Sequence, residues 1–324
     1  MRAVQSPPGR GVPRRIARAE ALCWRGVAPY NGGTTVIDGT TTVVGLIGDA
    51  VRGSLSPRFH NAAFAALGLD WCYVPFQVAR DRLETALRGL SALGIVGVNV
   101  TVPHKEAALA YLDETTDGAR LIGAVNTIRV EGGRLIGHNT DTGGLLDALR
   151  YDGGVAVRGQ RAVIVGAGGA ARAAAFALAE AGAAGVTIIN RNWDRAAALA
   201  DAIRRVFRCA VDAVPLDGRA VVAALREATL LVQATTAGAG AQRTLSPIPG
   251  EALHPGLFVM DMVYDPEETV LLREARAAGC RTLGGLPMLV YQGARAFEIW
   301  TGRAAPLQVM RDAVGLPKET VSTT

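Results

Sequence analysis

Along this chain apolar residues come in short blocks closed by Gly, Pro or polar turns, and between those blocks they recur at helical spacing. Runs over 42–48, 71–76 and 94–100 predict buried β-strands, and 57–67 and 80–93 predict helices, the second amphipathic. Pro103 suits the first turn of a further helix running through Lys105, Ala108 and Leu112. Residues 123–139 read as a hairpin turned at Gly132-Gly133, with a helix beginning at Asp141. After a Gly-rich linker at 153–159 the alternation resumes. Strands are predicted at 161–165, 185–190, 229–234, 257–261 and 281–283, with an Ala-rich helix to Ala181 and helices at 271–278 and 286–300. Strands alternating with helices predict an α/β protein with parallel sheets, and 324 residues suffice for about two domains.

Composition narrows the function classes. The net charge of +5 invites a nucleic-acid partner, but residues 1–30 hold six of the 34 basic side chains and one of the 29 acidic ones. That leaves 28 of each sign beyond, so the folded part is neutral and implies no nucleic-acid face. Residues 1–41 read as a basic, disordered extension or the product of an upstream start codon; an arm that touches RNA or a membrane is the lesser alternative. Four scattered Cys and four His show neither zinc spacing nor a disulfide framework, so no metal is expected and a reducing cytoplasm is. No apolar run approaches the ~18 residues of a membrane span.

The candidate chemistry starts from Lys105. The chain uses Arg almost throughout, with Lys only at 105 and 318. Arg keeps its proton, whereas Lys can act as an acid, a base or an orienting ammonium group. Lys105 falls at a strand-to-helix turn, where open α/β folds keep their sites, though an ordinary surface Lys at a helix start fits the same position. Ser54 and Ser56 place two hydroxyls on one side of a turn, able to grip a carboxylate or polyol, or to cap the next helix. Asn126 interrupts an apolar strand and needs partners from protein or ligand. Asp141 stands at a helix start, where an N-cap is the local reading. Gln292, by position alone, faces solvent.

Gly166, Gly168 and Ala171 follow a hydrophobic strand in G-x-G-x-x-A spacing, and an Ala-rich helix follows them. Such glycines let backbone approach a pyrophosphate at a helix N-terminus. The next strand ends in Asn190-Arg191-Asn192, with Arg195 beyond and no acid at the strand end, which suits a ribose 2′-phosphate and favours NADP over NAD. Asp194 argues the other way unless it turns from the ribose. Thr235-Thr236 borders either a nicotinamide or nothing more than a turn.

Together, Ser54-Leu-Ser-Pro57, Asn99-Val-Thr-Val-Pro-His-Lys105, Gly123-Ala-Val-Asn-Thr127, Asn139-Thr-Asp141, Gly166-Ala-Gly-Gly-Ala170, Asn190-Arg191 with Arg195, Asp261-Met-Val-Tyr-Asp-Pro266 and Leu289-Val-Tyr-Gln292 resemble the shikimate dehydrogenase family over about 42–316. The resemblance implies a two-lobed enzyme. A substrate lobe, 42–146 with the C-terminal helices of 286–318, faces a doubly wound Rossmann lobe, 147–285, that binds NADP. It implies Lys105 and Asp141 as the catalytic acid/base pair. Ser54 and Ser56 would bind a carboxylate, and Thr101, Asn126, Tyr264 and Gln292 would contact the substrate. Gly166, Ala167, Gly168, Gly169, Ala170, Asn190, Arg191 and Arg195, with Asp117, Met262 and Gly285, would contact the cofactor.

The implied activity is reversible NADPH-dependent reduction of 3-dehydroshikimate to shikimate, in chorismate biosynthesis, by a monomer or homodimer. Gln233, Ala50, Thr142 and Asn192 depart from the family pattern, and Thr142 would lie beside the substrate. Quinate or aminoshikimate dehydrogenases share the same pair and stay open as alternatives. So does a non-catalytic NADP-binding module, although such a module has no need of Lys105 with Asp141.

Overall fold

The computed structural model describes residues 37–319, so nearly all of the basic extension lies outside the described residues. Two six-stranded sheets carry the chain. The first contains β1 (Thr42–Gly48), β2 (Trp71–Gln77), β3 (Ile95–Val100), β4 (Glu114–Thr115), β5 (Thr127–Glu131) and β6 (Arg134–His138), in the order β2-β1-β3-β5-β6-β4. β1 runs parallel to β2 and β3, and the β5–β6 hairpin joins antiparallel to β3. α1 (Ser56–Ala66), α2 (Leu83–Ala92), α3 (Asp117–Ile122) and α4 (Asp141–Asp147) connect these strands and lead out of the sheet.

The second sheet is wholly parallel. It alternates β7 (Arg161–Val165), α5 (Gly169–Glu180), β8 (Gly185–Asn190), α6 (Trp193–Val206), β9 (Ala210–Pro215), α7 (Gly218–Leu225), β10 (Leu230–Gln233), β11 (Phe258–Asp261), α8 (Val270–Ala277) and β12 (Arg281–Leu283). Its order is β12-β11-β10-β7-β8-β9, so the winding reverses between β7 and β10. In such sheets the crevice beyond the carboxyl ends at the reversal receives a ligand. Buried Ala at 171, 173, 174, 175, 177 and 179 lets α5 pack close to the sheet.

α9 (Leu286–Thr301) and α10 (Leu307–Asp312) return to the first sheet. Phe297 and Trp300 of α9 join Phe59, Phe64 and Tyr73 in one core, and the Trp300 indole N–H donates to the Ile128 carbonyl at 3.0 Å.

Several expectations are corrected. The helix predicted from Pro103 is a turn, closed by His104 N–H on Thr101 O at 2.9 Å, followed by a short 3-10 helix at Ala107–Tyr111. The predicted helix at 80–93 opens as a 3-10 turn, Arg80–Arg82. β9 adds to the predicted strands: as an edge strand it buries only Val211 fully and shows little apolar run. α4 runs on into a π-turn, Ala148–Asp152. Gln292 is buried rather than solvent-facing.

Candidate active site

β3 ends at Val100 and the following turn presents Lys105. Its carbonyl accepts from Val125 N–H at 2.8 Å, and the buried His104 ring bonds the Val78 carbonyl at 2.7 Å, so the turn is pinned on both sides. Lys105 Nζ donates to Asp141 Oδ2 at 2.5 Å, and the two side chains are 15% and 4% exposed. Asp141 is the first residue of α4, beyond its cap residue Thr140, and its carboxylate bonds side chains instead of capping the helix. The positive end of the helix favours a carboxylate at that place.

The other Asp141 oxygen, Oδ1, accepts from Asn126 Nδ2 at 2.8 Å. That same amide nitrogen lies 2.9 Å from Thr140 Oγ1 and 3.1 Å from Gln292 Oε1, and Asn126 Oδ1 accepts from Thr140 N–H at 2.7 Å. Gln292 Nε2 donates to Leu289 O at 2.7 Å, which orients the amide. In a buried setting this saturation keeps Asp141 in one rotamer for Lys105. Asn99 extends the network: its Nδ2 donates to Thr127 Oγ1 at 3.1 Å and its Oδ1 accepts from Tyr73 OH at 2.8 Å.

Ser54 and Ser56 stand together, Ser56 N–H donating to Ser54 Oγ at 3.2 Å. The Ser54 hydroxyl bonds the Tyr264 phenol and Ser56 bonds that of Tyr73. Burial pushes both phenols above the ordinary tyrosine range, which keeps them neutral hydrogen-bonding groups. Tyr73 therefore links the serine pair to the Asn99–Asn126 network. Thr101 follows β3 half-buried, its N–H on Ile47 O at 2.9 Å. Tyr73, Asn99, Thr127 and Thr140 were not among the predicted site residues; the one signal for them was a lone amide in the apolar β3 run.

The β7–α5 turn has the form of a phosphate cradle. Gly166 adopts φ +123°, and a Cβ there would sit 3.1 Å from the Ala234 carbonyl. A Cβ on Gly169 would come within 2.7 Å of Lys105 Cβ, so this turn lies against the Lys105 turn of the first sheet. Ala167 and Ala170 complete the small-residue rim and Gly168 precedes α5. At the end of β8, Asn190 Nδ2 donates to Asn192 O at 2.8 Å, and Asn192 Oδ1 caps α6 by accepting Arg195 N–H at 3.1 Å. Arg191 is exposed, and Arg195 Nη2 donates to Ala167 O at 3.1 Å, which sets the guanidinium beside the glycine turn.

Met262 and Gly285 meet at the end of β11: a Cβ on Gly285 would strike the Met262 carbonyl and lie 2.9 Å from that of Val263. Asp117 stands apart. It begins α3 with its side chain 91% exposed, paired with Arg120 at 2.8 Å, and it shares no bond with the other predicted cofactor residues. The buried Gln233, a departure from the family pattern, stitches the turn after β10 together, bonding Thr235, Ala237 and Asp261. Thr142 borders a groove with Thr116, His138 and Arg295. Among the described residues no cluster of metal-ligating side chains occurs.

A doubly wound sheet with a glycine-rich turn at its reversal, cations in place of an acid at the end of β8, and a lysine–carboxylate pair held against that turn define a two-lobed NADP-dependent oxidoreductase. Comparison with known proteins carries this further. The family model described as shikimate dehydrogenase substrate binding domain matches residues 46–128. Shikimate / quinate 5-dehydrogenase matches 152–240, and shikimate 5'-dehydrogenase C-terminal domain matches 285–314. A Methanopyrus kandleri protein named shikimate dehydrogenase (NADP(+)) is 50% identical over 279 residues, covering 86% of this chain and 96% of that protein. Its namesake from Methanothermobacter thermautotrophicus is 46% identical, over 86% and 98%. The crystal structure of shikimate 5-dehydrogenase from Thermus thermophilus in complex with NADP(H) and shikimate is 41% identical, covers 84% of this chain and 98% of that one, and superposes with a TM-score of 0.75. The chain belongs to the shikimate dehydrogenase family.

Proposed function

We propose that this chain interconverts 3-dehydroshikimate and shikimate with NADP(H), and that Lys105 and Asp141 are its acid/base pair. One observation carries the reading. The 2.5 Å Lys105–Asp141 pair is seated against the glycine turn, with the Gly169 Cβ position 2.7 Å from Lys105 Cβ, so proton donor and cofactor cradle share one wall. NADPH, when bound, supplies the hydride. The residues present fit it: Gly168 leaves its Cβ position open for a pyrophosphate, Gly166 and Gly169 let the turn pack closely on Ala234 and Lys105, Ala167 and Ala170 rim it, and Asn190, Arg191 and Arg195 suit a 2′-phosphate. Met262 and Gly285 border the opposite side of the reversal.

Reducing a ring ketone builds negative charge on its oxygen, which requires a donor beside it. The Lys105 ammonium is such a donor, and in the oxidation direction its amine takes the proton back. Asp141 holds the ammonium group and offers an acceptor to a neighbouring ring hydroxyl. Asn126 fixes Asp141, Gln292 braces Asn126, and both stand on the substrate side of the pair. Ser54 and Ser56, steadied by Tyr264 and Tyr73, bind the carboxylate, and Thr101, just after β3, adds a substrate contact. The first sheet with α9 and α10 forms the substrate lobe and the second sheet the cofactor lobe. The neutral charge balance and scattered thiols support a cytoplasmic setting; among the described residues no helix is long and apolar enough to cross a membrane.

Initial rates of NADP reduction, followed by NADPH absorbance with shikimate, quinate and an aminoshikimate in turn and NAD as control, test the substrate and cofactor. Shikimate with NADP should be the fastest pair. Lys105→Ala should lower turnover by about 10²–10⁴-fold, the usual contribution of a positioned proton donor. Faster turnover of another ring would move the substrate assignment, and near-normal turnover of the variant would remove Lys105 from proton transfer.

A further inference from the structure

Glu106 follows Lys105 directly and has no part in the chemistry above. Its carboxylate reaches from the first sheet to the second, where Oε1 accepts from Arg195 Nη2 at 2.6 Å. The same oxygen lies 4.0 Å from the Cβ position of Gly168, at the mouth of the glycine turn. Arg172 of α5 completes the group: burial pulls its guanidinium below the ordinary arginine range, Glu106 pushes it up and Arg195 lowers it further. An anion belonging to the protein thus rests among the groups assigned to cofactor phosphates.

We propose that Glu106 is a cofactor-specificity residue, an internal anion that competes with the ribose 2′-phosphate for Arg195 and so sets how strongly the pocket prefers NADP to NAD. The inference rests on the reading of Arg195 as a 2′-phosphate ligand. Carboxylate and phosphate seek the same guanidinium fork, and the phosphate, with more charge and three oxygens, displaces the carboxylate. A cofactor without the 2′-phosphate has no need to displace it. Glu106 therefore weakens NADP binding selectively. The effect is modest, because the two side chains are 50% and 41% exposed and an ion pair that wet is screened by solvent.

Calorimetric titration of the full chain with adenosine 2′,5′-bisphosphate and with 5′-AMP reads this without turnover. Glu106→Gln should bind the bisphosphate about two- to five-fold tighter, the equivalent of one exposed ion pair, with 5′-AMP unchanged. The gain should shrink as salt is raised. Arg195→Gln should weaken the bisphosphate alone, and in the double variant the Glu106 effect should vanish. Unchanged or weaker bisphosphate binding by Glu106→Gln, with Arg195→Gln still weakening it, would overturn the competition and leave the pocket standing. An Arg195→Gln protein that binds the bisphosphate like wild type would overturn the pocket reading and the inference with it.

Discussion

His60 provides a test of the substrate lobe that can be worked in numbers. It lies on α1 with no exposed surface, stacked on the Tyr73 ring at a centroid distance of 4.4 Å and packed by Phe59, Phe64, Phe297 and Trp300. Neither ring nitrogen has a hydrogen-bond partner among the described residues. Burial alone lowers its pKa from 6.5 to about 3. The unfolded chain therefore takes up a proton below pH 6.5 that the folded one refuses. Stability rises with pH up to 6.5 and falls by about 1.4 kcal/mol for each unit below it, about 2 kcal/mol by pH 5.

His60→Phe removes that proton from the cycle. It also removes two unsatisfied ring nitrogens, worth about 1–3 kcal/mol, and adds ring volume to a packed cluster at a similar cost. Those two terms oppose each other and do not change with pH. Urea unfolding of both proteins at pH 7 and pH 5 isolates the remainder: wild type should lose about 2 kcal/mol more than the variant. Equal losses would show that the imidazole is protonated in place, and the account of this core would be wrong.

Two further predictions concern the cofactor lobe. Burial raises the carboxyl of Asp261 to about 6, against the opposing hydrogen bonds of Val263 N–H, the Thr269 hydroxyl and Gln233. The folded state then holds the extra proton between pH 4 and 6, so stability falls with rising pH across that window by up to about 3 kcal/mol. Asp261→Asn should flatten the fall in urea midpoint, and an unchanged profile would place the charge elsewhere. Gly169→Ala puts a methyl group 2.7 Å from Lys105 Cβ. Displacing a catalytic group by about 1 Å costs about 10²-fold, so turnover should drop on that scale while circular dichroism stays native; wild-type turnover would show that the two turns separate freely.

Legibility follows burial. The β7–α5–β8 unit announces itself because a strand buried on both faces, a glycine turn and an alanine helix each leave a periodic or compositional mark. β9 leaves none, since an edge strand needs few apolar residues. The turn after Pro103 departs from the expected helix because residue type at a helix start says little about whether the next N–H groups find helical partners. Within the site, Lys105 stands out through its rarity in an Arg-rich chain. Asp141 is ambiguous locally, since a first-turn acid serves as readily for capping as for catalysis; its partner lies 36 residues away and only the fold joins them.

Gln292 is named by the family resemblance, but local pattern alone puts it in solvent, and the reason for that failure is geometric. α9 buries residues on nearly all faces, so periodicity cannot single out the one that meets a polar site. A signal does exist elsewhere in the chain. Gly143-Gly144 follows Asp141 in the first turn of α4, and glycine within a helix costs roughly 0.5–1 kcal/mol per residue. That cost is borne where another backbone must come close. A Cβ on Gly144 would lie 2.7 Å from Gln292 Cβ and 2.8 Å from its backbone nitrogen, and one on Gly143 would strike Arg295. The small residues that follow Asp141 are thus what admits α9, and with it the amide that completes the Asn126 network around that carboxylate.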